Sequence, residues 1–288
     1  VAAYGVVSGS RWLALALAGL LAVGTLYTDG RLLSQERTFF GVYRVVENSV
    51  GDHLMVSGTT VHGAQHFRPQ PRPIPLTYYV SDGPVGQVMR TVGSTTDHIG
   101  IIGLGAGALA SYLVAGQTMT YYEIDPAVIG LATDPRLFTY TRDTAGRVEY
   151  VVGDGRLTLE RPHAPFGLLV IDAFSSDAIP THLLTLEATR AYLDALEPGG
   201  VIGFHISNRH LDLEPVVGRI ASELDLVARI NHFQPTNADG SPTTFVVMAR
   251  SVNDLGPLAS DGSWVEPQIG MDLWTDTFTD LLGVIRWG

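Results

Sequence analysis

From position 98 onward one pattern recurs, and it limits the fold more than any other feature. Short apolar runs rich in β-branched residues alternate with segments of helical character, and the runs close on glycine or an acidic residue. Residues 99–102 (IGII) lead into GLGAG (103–107). Residues 119–124 carry Glu123 at their end, residues 148–152 are followed by Gly153, Asp154 and Gly155, and residues 167–171 are followed by Asp172. Helices are predicted over 106–115, from about Pro126, over 185–196 and over 213–224. The turn Glu-Pro-Gly-Gly (197–200) is a stop signal before a strand at 201–206. Strands at 226–230 and 244–249 complete the set. This alternation with short connections predicts an α/β domain with a doubly wound, mostly parallel sheet, which binds ligands at the carboxyl ends of its strands.

The residues before position 98 are of another kind. Residues 39–47 (FFGVYRVVE) and 53–57 (HLMVS) are aromatic and β-branched, with Gly51, Asp52 and Gly58 between extended stretches, which predicts a small antiparallel β unit. Residues 66–75 (HFRPQPRPIP) hold four prolines and read as an extended linker. Further upstream, residues 12–28 form an uncharged run of 17 between Arg11 and Asp29, at the lower limit for a membrane-spanning helix. A signal-peptide core or a packed helix would look similar. Val rather than Met at position 1 is expected of a processed chain or of a piece of a longer one. The expected division is 1–35 as a membrane-proximal helical segment, 36–80 as the β unit, 81–252 as the α/β domain and 253–288 as a tail with a short helix at 275–287.

Composition removes several chemistries. There is no cysteine, hence no disulfide, thiol nucleophile or cysteine-based metal site. All 18 basic residues are arginine, so a lysine Schiff base and a P-loop lysine are excluded. A net charge of −11 disfavours nucleic acid, which needs a cationic surface, and favours a cationic ligand.

Gly103, Gly105 and Gly107 allow close backbone approach of a ligand where a strand turns toward a helix. Glu123, twenty residues past Gly103, stands where an acid can hold both hydroxyls of an adenosine ribose. Nicotinamide and S-adenosyl ligands share this much. Asp154 could accept from an adenine amino group, and Asp172 would face the crevice. Three acids at successive strand ends point to an adenosine bearing a positive centre. Helix capping is the other reading of Asp154 and Asp172. The histidines at 62, 205 and 210 have no helical metal-ligand spacing, and no metal is expected. Tyr78 and Tyr79 could meet a sulfonium by cation–π attraction or pack between the β unit and the sheet. Asp276 and Asp280 read as a solvated helix face.

GLGAG (103–107), YYEIDP (121–126), VVGDGR (151–156) and VIDAFSSDAIPTHLLT (170–185) resemble the polyamine synthase, or spermidine synthase-like, family. ERTFFGVYRV (36–45), HGAQ (62–65), PLTYY (75–79), FHISNRHLDLEPVV (204–217) and WTDTFTDLL (274–282) are similar to its bacterial branch fused to a membrane region. The resemblance implies that Glu123 binds ribose, Asp154 adenine and the glycine loop the sulfonium substrate's tail. It also implies that Asp172 takes a proton from an attacking amine. Asp125 and Gly155 join the nucleoside side, and Gln65, Tyr78, Tyr79, Asp177 and His205 the substrate side. This chain departs from the family at Ala106, where an Asp is usual. It departs at Tyr78-Tyr79-Val80, where a Tyr, then Gln or His, then Glu stands, and in the run 172–177, where Asp-Ser-Ser-Asp is spread out.

The expectation is thus a class I methyltransferase-like, Rossmann-type α/β domain with a small N-terminal β unit. It would use S-adenosylmethionine or its decarboxylated form as substrate, transfer an aminopropyl group to an amine such as a polyamine, and release methylthioadenosine. Intramolecular cleavage or cyclisation of S-adenosylmethionine is the first alternative, and a non-catalytic adenosine sensor and a methyltransferase are others. A homo-oligomer is expected, placed in the cytoplasm and held at the membrane through residues 1–35.

Overall fold

The computed structural model describes residues 30–68, 72–174 and 179–286. The expected helix at 12–28 lies outside the described residues, as does Asp177. Among the described residues no helix is long and apolar enough to cross a membrane.

Two sheets make the frame. The first is a four-stranded antiparallel meander of β1 (Arg31–Arg37), β2 (Val42–Glu47), β3 (Asp52–Ser57) and β4 (Thr60–His66), in that order. It begins earlier than expected: residues 31–35 are strand rather than the end of a helical segment. The sequence RLLSQER pairs along its length with β2, from Arg31 opposite Glu47 to Arg37 opposite Val42, and that pairing outweighs any local helical preference.

The second sheet has seven strands in the order β10-β11-β9-β8-β5-β6-β7. These are β5 (His98–Ile102), β6 (Thr118–Glu123), β7 (Arg147–Val152), β8 (Phe166–Ile171), β9 (Leu196–His205), β10 (Val227–Phe233) and β11 (Thr243–Ala249). Strands β5 to β9 pair in parallel, and β11 enters antiparallel between β9 and β10. This is the class I methyltransferase-like sheet. Its register throws alternate residues to opposite faces. Ile101, Tyr121, Leu168, Val170 and Val247 enter one buried cluster, and Ile102, Tyr122, Leu169, Ile171 and Val246 the other. Helices α1 (Pro84–Thr91) and α2 (Pro126–Thr133) supply Val88, Met89, Val128 and Leu131 to the first face. Helices α4 (Leu186–Asp194) and α5 (Glu214–Glu223) supply Ala188, Tyr192, Val217 and Ile220 to the second. Each such large side chain removed from water contributes roughly 1.5–3 kcal/mol before entropy is counted.

The predicted helix at 106–115 is a 3-10 segment, Ala108–Tyr112. Gly107 lies at φ 80°, in the left-handed region, and cannot start a regular α-helix there. Glu-Pro-Gly-Gly lies within β9, where Gly199 takes φ 82°, rather than in a turn that precedes the strand. The tail has no helix over 275–286 beyond the 3-10 turn Leu282–Val284. Its polar groups are tied to the α/β domain, as described below.

Candidate active site

Four parallel strands deliver polar groups to one edge. The carboxyl ends of β6, β7, β8 and β9 carry Glu123, Asp154, Asp172 and His205, and the loop after β5 carries Gly103 and Gly105. The β unit covers this edge. The Ala106 amide donates to the His62 carbonyl of β4. Gly105, at φ 52°, lies so close to that carbonyl that a Cβ would stand 2.3 Å from its oxygen. Gly103, at φ 99°, approaches the Asp172 backbone equally closely, with a Cβ falling 2.4 Å from its carbonyl oxygen. Both glycines are therefore required by packing as well as by conformation. Ala106 is buried against Gly63 and lines neither of the spaces described next.

Beneath the β unit lies a crevice of about 210 Å³. Tyr43, Met55 and His62 come to it from the β unit, and Gly103, Gly105, Glu123, Asp154, Gly155 and Asp172 from the sheet. Glu123 receives the Leu104 amide on Oε2 at 3.0 Å and the Asp125 amide on Oε1 at 2.9 Å. Burial, reinforced by the charge of Asp125, raises its carboxyl above the usual value although backbone amides oppose the shift. The Tyr43 phenol is pushed up to about 12, first by burial and then by the charges of Asp125 and Glu123, and stays a neutral donor. Asp154 accepts the Leu157 amide at 3.0 Å, capping the short helix α3 (Gly155–Thr158), and its other oxygen lies 2.9 Å from His182 Nε2. Capping and crevice lining thus coexist in Asp154. Among the described residues no arginine lines this crevice.

Asp172 is held by two side chains. The Tyr79 hydroxyl donates to its Oδ2 at 2.7 Å, and His205 Nδ1 lies 2.7 Å from its Oδ1. Burial, then the Asp172 charge, holds the Tyr79 phenol well above its ordinary value, so it remains a donor. The distance and the carboxylate charge put the histidine proton on Nδ1. Nε2 of a neutral ring is then bare and accepts from the Ser207 hydroxyl at 2.9 Å, whose oxygen in turn receives the Thr244 amide at 2.8 Å. Asp172, Tyr79 and His205 face a second, wider chamber of about 580 Å³ that Tyr78 also lines. The two spaces share His62, Gly105, Asp172 and Phe174, so Asp172 stands at their junction.

Other expected site residues lie elsewhere. Asp125 spends Oδ1 on the Ala127 amide as the cap of α2 and Oδ2 on the Thr38 hydroxyl, and does not line the crevice. Gln65 is buried and engages Thr139 through both its amide oxygen and its amide nitrogen, which holds β4 to the α/β domain. A Cβ at Gly107 would meet Thr141, away from the crevice. Asp276 is not on a solvated helix: it takes two hydrogen bonds from Arg156, both 2.6 Å. Lining residues not read from the sequence include Tyr43, His182 and Ser207. Ser207 had a signal, since it follows His205 by two along an extended segment and shares its side.

No protein-family model matches the chain and no curated protein matches it. Solved structures do. A probable spermidine synthase from Corynebacterium glutamicum ATCC 13032 superposes with TM-score 0.58 and 16% identity, covering 87% of this chain and 99% of that one. The spermidine synthase from Thermotoga maritima gives TM-score 0.54 and 14% identity, covering 90% of this chain and 85% of that one. A spermidine synthase in complex with the transition state analogue AdoDATO gives the same values. At such identities the likeness is one of fold, and on that measure this chain has the spermidine synthase-like fold, small N-terminal sheet included.

Proposed function

We propose that this protein binds S-adenosylmethionine or its decarboxylated form and transfers the carbon chain next to the sulfonium to an amine, releasing methylthioadenosine. The observation that carries the reading is Asp172 at the junction of two spaces, one lined by carboxylates and the other leading away from it. In the crevice, Glu123 and Asp154 offer acceptors to ribose and adenine, and the acidic lining favours a sulfonium by charge. The amine enters from the second chamber. Its lone pair attacks the carbon bound to sulfur, the new C–N bond forms as the C–S bond breaks, and the C–S electron pair leaves with sulfur. The amine proton goes to Asp172, since a protonated amine is no nucleophile. Tyr79 and His205 hold the carboxylate in place by donating to one oxygen each. The Ser207–His205 chain keeps the imidazole in the tautomer that donates to Asp172.

The test has two steps. Calorimetry measures binding of methylthioadenosine, which Glu123→Ala should weaken by roughly 1–3 kcal/mol, as when hydrogen bonds to a charged acceptor are lost. Mass spectrometry then follows products from S-adenosylmethionine and from its decarboxylated form, with and without amines. Release of methylthioadenosine with a new C–N adduct supports the reading. Absence of any nucleoside binding by the folded protein refutes it.

A further inference from the structure

The two spaces that meet at Asp172 differ in charge. Glu123, Asp154 and Asp172 line the crevice, and no arginine does so among the described residues. The second chamber reverses this. Arg209 and Arg286 line it, and Asp172 is the sole carboxylate among the described residues that does. The remaining polar lining includes Thr77, Ser207, Gln234 and Thr244, which offer hydroxyls and an amide.

The arginines are placed by one loop. The Arg286 amide donates to the His210 carbonyl at 2.8 Å, and its guanidinium reaches the Asn208 carbonyl at 3.4 Å. Asp212 stands 3.6 Å from that guanidinium but does not line the chamber. Arg209, in the same loop, is exposed and is committed to no ion pair among the described residues. A diamine or triamine with its reacting nitrogen at Asp172 would share the chamber with two guanidiniums, with no second carboxylate among the described residues to receive its far ammonium. A carboxylate in the chamber would instead meet two guanidinium donors of opposite charge.

We infer that the second chamber takes a carboxylate-bearing group rather than a polyamine chain, an inference that rests on the functional reading above and names the chemistry of its second subsite. That carboxylate belongs either to an amine acceptor of the amino acid type or to the tail of undecarboxylated S-adenosylmethionine. The two sources share one recognition chemistry and are separable by experiment.

The experiment is a pair of calorimetric comparisons on the full chain, read in the wild type, Arg209→Glu and Arg286→Glu. One arm compares S-adenosylmethionine with its decarboxylated form. The other compares 4-aminobutyrate with putrescine after saturation with methylthioadenosine. The first pair differs by one carboxylate, and in the second a carboxylate stands where putrescine has an aminomethyl group. Exposed guanidiniums contribute a factor of a few each, so the carboxylate-bearing member should bind about tenfold more tightly in at least one arm. Arg209→Glu should remove or invert that preference. The responding arm identifies the source of the carboxylate. Equal or tighter binding of putrescine and of decarboxylated S-adenosylmethionine overturns the inference, as does a carboxylate preference that both glutamate variants leave intact. Arg209→Glu guards against misfolding at Arg286, because Arg209 is exposed and holds no ion pair among the described residues. Failure of methylthioadenosine itself to bind refutes the functional reading and this inference with it, whereas nucleoside binding without a carboxylate preference refutes the inference alone.

Discussion

Asp172 is held by two donors while lining open space on either side, and substitutions there separate chemistry from binding. Asn keeps the shape and loses the basicity. We expect Asp172→Asn to lower turnover by roughly 100-fold or more, with methylthioadenosine affinity little changed, measured by single-turnover product release beside thermal unfolding. Wild-type turnover in the folded variant would remove Asp172 from the proton's path. Glu123 gives a prediction in pH. Its carboxyl is raised above the ordinary value of 4.5 by burial and by Asp125, so it takes up a proton earlier on acidification than a free glutamate would. The ionised form is the better acceptor for ribose hydroxyls. Nucleoside affinity should therefore be full at neutral pH and fall as pH drops through a midpoint above 4.5, and Glu123→Gln should flatten that profile. A midpoint at or below the ordinary value would contradict the assignment. Glu123, Asp154 and Asp172 were legible in the sequence because strand ends and short spacings are local. Tyr79 and His205 around Asp172 were legible only as candidates. The contact joins residues 93 apart in one case and 33 in the other, and no local pattern encodes it. Gln65 is likewise taken by a distant partner, Thr139, whereas Asp125 is taken by a local one, the helix it caps.

Among the elements, the tail departs most from its sequence reading, and its packing explains why. Trp274 is buried, its carbonyl accepts the Leu186 amide at 2.9 Å, and the Asp276 amide donates to Glu187 at 2.9 Å. Asp276 meanwhile takes Arg156 and the Thr185 hydroxyl. The tail is thus clasped onto the start of α4 instead of forming a helix of its own, across 120 residues of sequence in the case of Arg156 and Asp276. Trp274→Ala should cost about 3–5 kcal/mol, as for large core aromatics. Asp276→Asn should cost about 1 kcal/mol or less, because that carboxylate is partly open to solvent. The Arg156 hydrogen bonds hold Asp276 below the ordinary 3.8 despite some burial. Its contribution is therefore present above 3.8 and is lost only as pH falls through the lowered value. Denaturant unfolding of both variants at neutral and acid pH checks the two magnitudes and the sign. Four of the five parallel strands were legible as short runs that end on or are followed by glycine or an acid. The expected helix at 106–115 could not begin at 106 because Gly107 is left-handed, a backbone property that composition does not reveal.

At the scale of the molecule, the crevice is a seam between two sheets. Tyr43, Met55 and Ser57 reach it from β2 and β3, His62 from β4, and the glycine loop and strand ends from the large sheet. The seam is narrow where it is closed: Gly105 meets the His62 carbonyl, Gly63 meets Ala106, and the Tyr140 hydroxyl donates to the Ala64 carbonyl at 2.7 Å. A ligand filling the crevice touches both sheets at once and should stabilise both, because whatever binds only the folded arrangement shifts the opening equilibrium of every element it contacts. We expect methylthioadenosine to slow hydrogen exchange of amides in β3 and β4 as well as in the loops after β5, β6 and β8. Gly105→Ala tests the coupling directly. Its Cβ would need the β4 carbonyl to move and would sit at a left-handed φ, a strain of order 1–3 kcal/mol. The variant should still fold, with protection by the nucleoside retained near Glu123 and lost from β3 and β4. If the wild type shows protection confined to the large sheet, the β unit is a cover that the ligand does not use. If Gly105→Ala leaves protection of β4 unchanged, the coupling runs through contacts other than the glycine loop.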